Sequence, residues 1–181
     1  MSVLKRSVPM FVCLIGIIMA TSNTSARAEE PSVQDKAFFA EAGSGGMLEV
    51  RLGQYASANA ASDAVKKFGE EMVGDHTKAN DQLHTLTTQQ PLEIPKAMSS
   101  EDQQTLDRLE KLHGAQFDKA YIEQMVQDHE KDVAAFEKEV SDGSDTIVRA
   151  FAERTLPILR HHLEMAKGLN ESLSTRAPVA K

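Results

Sequence analysis

Several things are scarce in this 181-residue chain, and each scarcity closes off a class of function. There is one cysteine, Cys13, and it lies inside an apolar run, so the rest of the chain has no thiol for a disulfide, a thiolate nucleophile or a cysteine metal site. Tryptophan is absent and aromatic residues make up only 5%, while Ala, Leu, Met, Glu, Lys and Gln fill the long segments. That composition favours helices over strands, and no segment shows a sustained two-residue alternation. Basic residues are outnumbered, 20 against 27 acids, for a formal charge of −7. An acidic surface repels phosphate backbones and anionic headgroups, which argues against nucleic acid or a membrane surface as partner.

The one long apolar run, Val8 to Ala20, follows Lys5 and Arg6 and leads to Ala26-Arg27-Ala28. This is the order of a secretory signal peptide over residues 1–28, with cleavage expected after Ala28. The run falls short of the about 20 residues a permanent span needs, so no stable membrane anchor is expected after cleavage. Met10-Phe11-Val12 before Cys13 lacks the small residues of a lipidation site. The expected location is therefore periplasmic or secreted. Removal of Lys5, Arg6 and Arg27 makes the remaining chain more acidic still, and residues 29–174 are of a size for one domain with its own core. Residues 175–181 read as a flexible polar tail.

Four amphipathic segments follow. The first is expected over Val33–Asn59, capped by Ser32 or Asp35, with Phe38, Phe39, Ala42, Leu48, Leu52, Tyr55 and Ala56 on its apolar face. Gly43, Gly45 and Gly46 interrupt it at roughly 1 kcal/mol each, so either the chain breaks there or another helix packs very close. Ser44 among these glycines is not in a nucleophile elbow and has no strand before it. The second segment runs from Ser62 towards Gln89 and is ended by Pro91 and Pro95. The third starts at Ser99 or Ser100, with a bend expected near Gly114, and continues to Val140. After the turn Ser141–Asp145 the fourth carries Ile147 to Leu169, with a kink expected at Pro157. Four such stripes joined by polar loops predict an all-α antiparallel four-helix bundle.

An internal echo points into that bundle. Residues 68–78 (FGEEMVGDHTK) and 121–131 (YIEQMVQDHEK) match at Met72/Met125, Val73/Val126, Asp75/Asp128, His76/His129 and Lys78/Lys131. Two helices in equivalent places should aim their histidines at a common axis. His76, His129 and His162 each fall on the apolar face of their helix, and Glu49 falls on that of the first. One reading is a hydrogen-bonded polar layer that fixes register, because unpaired buried polar groups are costly. The other is a transition-metal site using Glu49, His76, His129 and His162. Asp75 and Asp128 precede the histidines by one residue, about 100° around the helix, and suit outer partners better than ligands. Met72, Met125 and Met165 lie one turn from the three histidines, a copper(I)-like neighbourhood or ordinary gap-filling. His84 and His161 read as surface residues, and His113 is ambiguous beside Leu109, Leu112 and Phe117.

The run Gly45–Gly53 (GGMLEVRLG), the two Met-Val-x-Asp-His stretches at 72–76 and 125–129, Phe117–Ile122 (FDKAYI) and Leu156–Leu163 (LPILRHHL) resemble the DUF4142 family, exported bacterial proteins placed in the ferritin-like superfamily. The resemblance runs from about Asp35 to Leu169. It implies a ferritin-like four-helix fold in the periplasm or at the cell surface, and no defined activity. Ferritin-like di-iron proteins carry Glu on two helices and Glu-x-x-His on two others, and no Glu-x-x-His ends at His76, His129 or His162. A ferroxidase assignment by analogy is therefore unsupported. The leading expectation is a non-enzymatic exported bundle protein linked to envelope stress. The rival is a metal-binding or redox protein with the Glu/His site in its core.

Overall fold

A computed structural model of the protein describes residues 30–175. The expected signal peptide, its cleavage point, Cys13 and all but the first residue of the expected tail lie outside the described residues. Those residues form five helices: α1 (Val33–Asn59), α2 (Asp63–Leu86), α3 (Ser100–Leu109), α4 (Gly114–Asp142) and α5 (Thr146–Thr175). No strand occurs among them, and none of these helices is long and apolar enough to cross a membrane.

The helix ends are set by local chemistry. Ser32 caps α1 in a reciprocal box with Asp35, whose carboxylate accepts from the Ser32 N–H at 2.7 Å. Ser99 caps α3 through the Asp102 N–H, and the Asp145 carboxylate accepts from the Ile147 and Val148 N–H groups at the start of α5. Ser62 precedes α2 without a side-chain cap bond. Instead Asp118, buried on α4, accepts from the Ala61 and Ser62 N–H groups at 2.9 and 2.8 Å and ties the α1–α2 turn to α4.

The third expected segment is two helices rather than one bent helix. Residues 110–113 leave the helical path, and Gly114 restarts it at φ +59°, a conformation glycine adopts without penalty. The Tyr55 hydroxyl of α1 lies 2.9 Å from the Glu110 carbonyl oxygen and 3.2 Å from that of Leu112, so it satisfies backbone acceptors that the break releases. Pro157 lies inside α5 without ending it, and α5 continues through Thr175.

The glycines of α1 do not break that helix. A side chain at Gly46 would collide with Asn80 of α2, and one at Gly43 would crowd Ile94 and Pro95 at 3.2 Å. Backbone meets backbone lower down, where a Cβ at Gly69 would lie 2.8 Å from the Gly53 carbonyl oxygen and one at Gly53 would lie 2.7 Å from that of Gly69. Close packing of another helix is realised at Gly46 alone; Gly43 faces the loop after α2, and Gly45 has open space around it.

Helix α1 packs on α2 and α4, and α5 packs on α4 and α2, so the four long helices close a ring, with α3 against α1 and α4. The apolar interior forms two clusters. One gathers Leu52, Phe68, Met72, Leu109, Phe117, Tyr121, Met125 and Ala166, and the other gathers Phe39, Leu83, Leu92, Phe136, Phe151 and Leu159.

A second carboxylate tie joins the start of α1 to the α4–α5 turn. Fully buried Asp35 accepts from the N–H of Ser144 at 3.0 Å and from that of Asp145 at 3.3 Å, and also from the Ser144 hydroxyl. Burial alone would raise its pKa, but the bonds from the Ser144 hydroxyl and from Ser32 outweigh it and hold Asp35 well below the ordinary range. Glu139, 1% exposed, faces the same carboxylate, and burial with the proximity of Asp35 raises it to about 7. Acceptor faces acceptor there, and only a retained proton joins them.

Two outcomes follow for stability. Gly69→Ala should cost about 1–3 kcal/mol by forcing α1 and α2 apart. Gly74→Ala, with open space around the added methyl, should gain about 0.5–1 kcal/mol; urea melts of both variants that moved in the same direction would contradict this packing. Because the folded-state pKa of Glu139 exceeds its ordinary 4.5, its stabilising contribution is present below that pH and lost as pH rises to about 7. Glu139→Gln, which keeps a donor at every pH, should therefore gain on the wild type between pH 4.5 and 7. A difference that stayed constant across that window would show that the proton is not shared.

Candidate metal centre

Each of the four core side chains singled out from the sequence comes from a different long helix: Glu49 from α1, His76 from α2, His129 from α4 and His162 from α5. All are buried, with relative exposures of 3, 6, 0 and 0%. They lie between the two apolar clusters. On α2 the order is Met72, His76, Leu83, on α4 it is Met125, His129, Phe136, and on α5 it is Leu159, His162, Ala166. The periodicity that turns Met72 or Phe136 inward turns the histidines inward too.

The three imidazole rings form a triangle with centroid separations of 5.7, 5.3 and 5.4 Å. One ring nitrogen of each lies within 4.8 Å of one from the other two. Each ring also has an acceptor on one side. His76 Nδ1 is 2.8 Å from Glu49 Oε2, His129 Nδ1 is 3.0 Å from the Met125 carbonyl oxygen, and His162 Nε2 is 3.3 Å from Asp75 Oδ2. The tautomers that donate to these acceptors leave His76 Nε2, His129 Nε2 and His162 Nδ1 with bare lone pairs, and those three nitrogens are buried without a partner.

Burial decides the charge state. Desolvation lowers His76 to about 4, against weaker opposition from Asp132 and Asp75. It lowers His129 to about 3, helped by the two neighbouring histidines, and His162 to about 4. At neutral pH all three rings are neutral, the form that ligates metal. Burial likewise pushes Glu49 well above the ordinary carboxyl range, so its contact with His76 is a hydrogen bond within a neutral layer rather than an exposed ion pair.

The aspartates preceding the repeated histidines serve different places. Asp75 of α2 reaches His162 of α5, not its own neighbour, and also accepts from Lys78 at 3.0 Å. Burial would raise its carboxyl, but the bonds from Lys78 and His162 hold it below the usual value. Asp128 accepts from Gln124 at 2.9 Å, keeps Oδ2 unpartnered and lines a cleft between α1, α3 and α4. His84, His113 and His161 are exposed. Met72, Met125 and Met165 pack into or against the apolar cluster, the ordinary use of a thioether in a helical core. Ser44 is engaged with Asp102 and the Ser99 N–H, binding α1 to the start of α3.

A family profile described as "Domain of unknown function (DUF4142)" matches residues 20–169. The chain belongs to the DUF4142 family. No curated protein matches it. Among solved structures, the crystal structure of a DUF305 fragment from Deinococcus radiodurans is similar at a TM-score of 0.69 and 12% identity, covering 80% of this chain and 99% of that one. At that identity the likeness bears on the all-helical fold alone.

The structure adds to the candidate site of this DUF4142 protein a residue that the sequence pattern did not single out. Asp132, one turn after His129, lies with Glu49 and His129 in a group whose ligand-type atoms are within 4.8 Å of one another. Burial and then the charge of Glu49 push its carboxyl well above the usual range. The signal was present as His129-x-x-Asp132, but the internal repeat hid it, because the corresponding position of the first copy is Ala79. Tyr121 was read only as an apolar-face residue; its hydroxyl is buried without a partner while its ring stacks on Phe117.

Bare nitrogens weigh against a purely structural layer, since a buried unsatisfied group costs about 1–3 kcal/mol. In metal-free protein, His129→Met should thus leave the urea midpoint unchanged or higher. A loss above about 2 kcal/mol would assign the imidazole a structural role.

Proposed function

We propose that this protein is an exported, periplasmic or secreted, metal-binding helical-bundle protein in which His76, His129 and His162 hold one divalent transition-metal ion of the imidazole-preferring class, Zn²⁺ or Cu²⁺ foremost. The observation that carries this reading is the division of labour on each ring: one nitrogen faces an oxygen acceptor while the other is buried and bare. Ligand histidines have this arrangement because the outer acceptor fixes the tautomer and orients the ring. Three neutral nitrogens supplied by three helices leave a further coordination position open, and Glu49 lies beside them. A link to envelope stress is compatible with this reading, through capture or buffering of a metal outside the cytoplasm. Export is supported by the order of charged, apolar and small residues before Glu29.

The architecture that fits best is an antiparallel, ferritin-like four-helix bundle. Along α1 and α5 the chain passes from the Phe39–Leu159 cluster towards the Leu52–Ala166 cluster, and along α2 and α4 it passes the other way. Neighbours in the ring then run in opposite directions, with residues 87–113 as the long return connection.

Protein purified without a polyhistidine tag should carry about one equivalent of metal. A His129→Ala, His162→Ala double variant should carry no Zn²⁺ or Cu²⁺. A chelator should lower the melting temperature of the wild type more than that of the variant, since an ion bound only to the folded state adds about 4 kcal/mol at a thousandfold excess over Kd. Trace metal at the same level in both proteins, with equal chelator shifts, would eliminate the proposal and leave the polar-layer reading.

A further inference from the structure

Beside the imidazole triangle, the cleft between α1, α3 and α4 has a volume of about 490 Å³. Its walls carry Glu41, Glu101, Asp102 and Asp128, its inner end carries Glu49 and Asp132, and the one basic side chain lining it is Lys131. An acidic cleft by itself says little, because solvated carboxylates are common. Here, however, Glu49 is 3% exposed, its Oε1 accepts no hydrogen bond and lies 3.5 Å from His129 Nδ1, and its Oε2 is committed to His76. Asp128 Oδ2, at the same cleft, is also bare. Buried acceptors without donors call for a cation or a proton.

We propose that Glu49 and Asp132, flanked by Asp128, form a second cation position at the inner end of this cleft, next to the His129 corner of the imidazole triangle, for a hydrated divalent ion of the oxygen-preferring class such as Mn²⁺. Glu49 and Asp132 bring carboxylate oxygens within 4.8 Å of each other, a gap that one ion at about 2.1–2.6 Å from each can span. Hard cations of this kind are held by one or two carboxylates and keep several waters, and the cleft has room for those waters. The three imidazoles offer nitrogen and the cleft offers oxygen, so the two positions sort ions by ligand type. Glu49 touches both, one oxygen turned to His76 and the other, without a hydrogen bond, 3.5 Å from His129 Nδ1.

The test is a Mn²⁺ titration of metal-free full chain, followed by the electron paramagnetic resonance signal of free Mn²⁺. Wild type should bind about one equivalent, and Asp132→Asn should weaken binding about tenfold or more. His162→Ala, which removes the triangle residue that pairs with Asp75 and not with Glu49, should change Mn²⁺ affinity by less than about threefold. If Asp132→Asn proves unfolded by circular dichroism, Asp128→Asn carries the same test with an expected loss of about threefold or more. No Mn²⁺ binding by the wild type, equal binding by the aspartate variants, or loss of Mn²⁺ in His162→Ala would each overturn the proposal. Failure of Zn²⁺ or Cu²⁺ to bind while Mn²⁺ binds as described would instead remove the imidazole reading alone.

Discussion

Four ionisable side chains sit in the middle of an apolar interior, and the surrounding structure has to keep them uncharged or compensated. The interior meets that constraint by neutrality: desolvation holds the three imidazoles deprotonated and favours the protonated form of Glu49, so no isolated charge is buried. The polar layer separates two apolar clusters that supply most of the burial. Every long helix contributes one member, so a register slip in any of them would pull a histidine or Glu49 into an apolar cluster. The layer thereby couples the alignment of all four.

What the layer lacks is as informative as what it has. Full satisfaction of every donor and acceptor would describe a device for register alone, yet three ring nitrogens and one oxygen of Glu49 face no partner. The acceptors that are present, the Glu49 carboxyl on His76, a carbonyl on His129 and the Asp75 carboxylate on His162, orient the rings without quenching the remaining nitrogens. The molecule carries an uncompensated cost of burial at this level, four bare atoms on four neighbouring side chains, as a ligand site does when its geometry is prepared in advance.

Elsewhere carboxylates act as joints. Asp118 holds the α1–α2 turn to α4, and Asp35 holds the start of α1 to the α4–α5 turn, each by accepting from backbone N–H groups that the helix starts expose. Between these ties the glycines of α1 and α2 let the two backbones approach until a methyl group would strike a carbonyl oxygen. Close approach of α1 to α2 brings Glu49 to His76, so the glycine contact and the site are parts of one arrangement.

The all-helical class, the extent of α1, the inward faces of His76, His129 and His162, and the placing of Glu49 among them were legible from the sequence, because helical periodicity is a local property that survives without knowledge of neighbours. The same reasoning could leave two outcomes open for the glycine run and could not choose between them, since the choice depends on Asn80, Ile94 and Pro95 arriving from distant segments. It read one bent helix where α3 and α4 are separate, because the break is stabilised by Tyr55 reaching across from α1. It placed Asp75 beside the histidines without finding that its partner is His162, and it passed over Asp132, whose inward role depends on Glu49 facing it across the helix boundary. Periodicity determines which face of a helix is buried; only the packing of one helix on another decides which atoms on those faces meet.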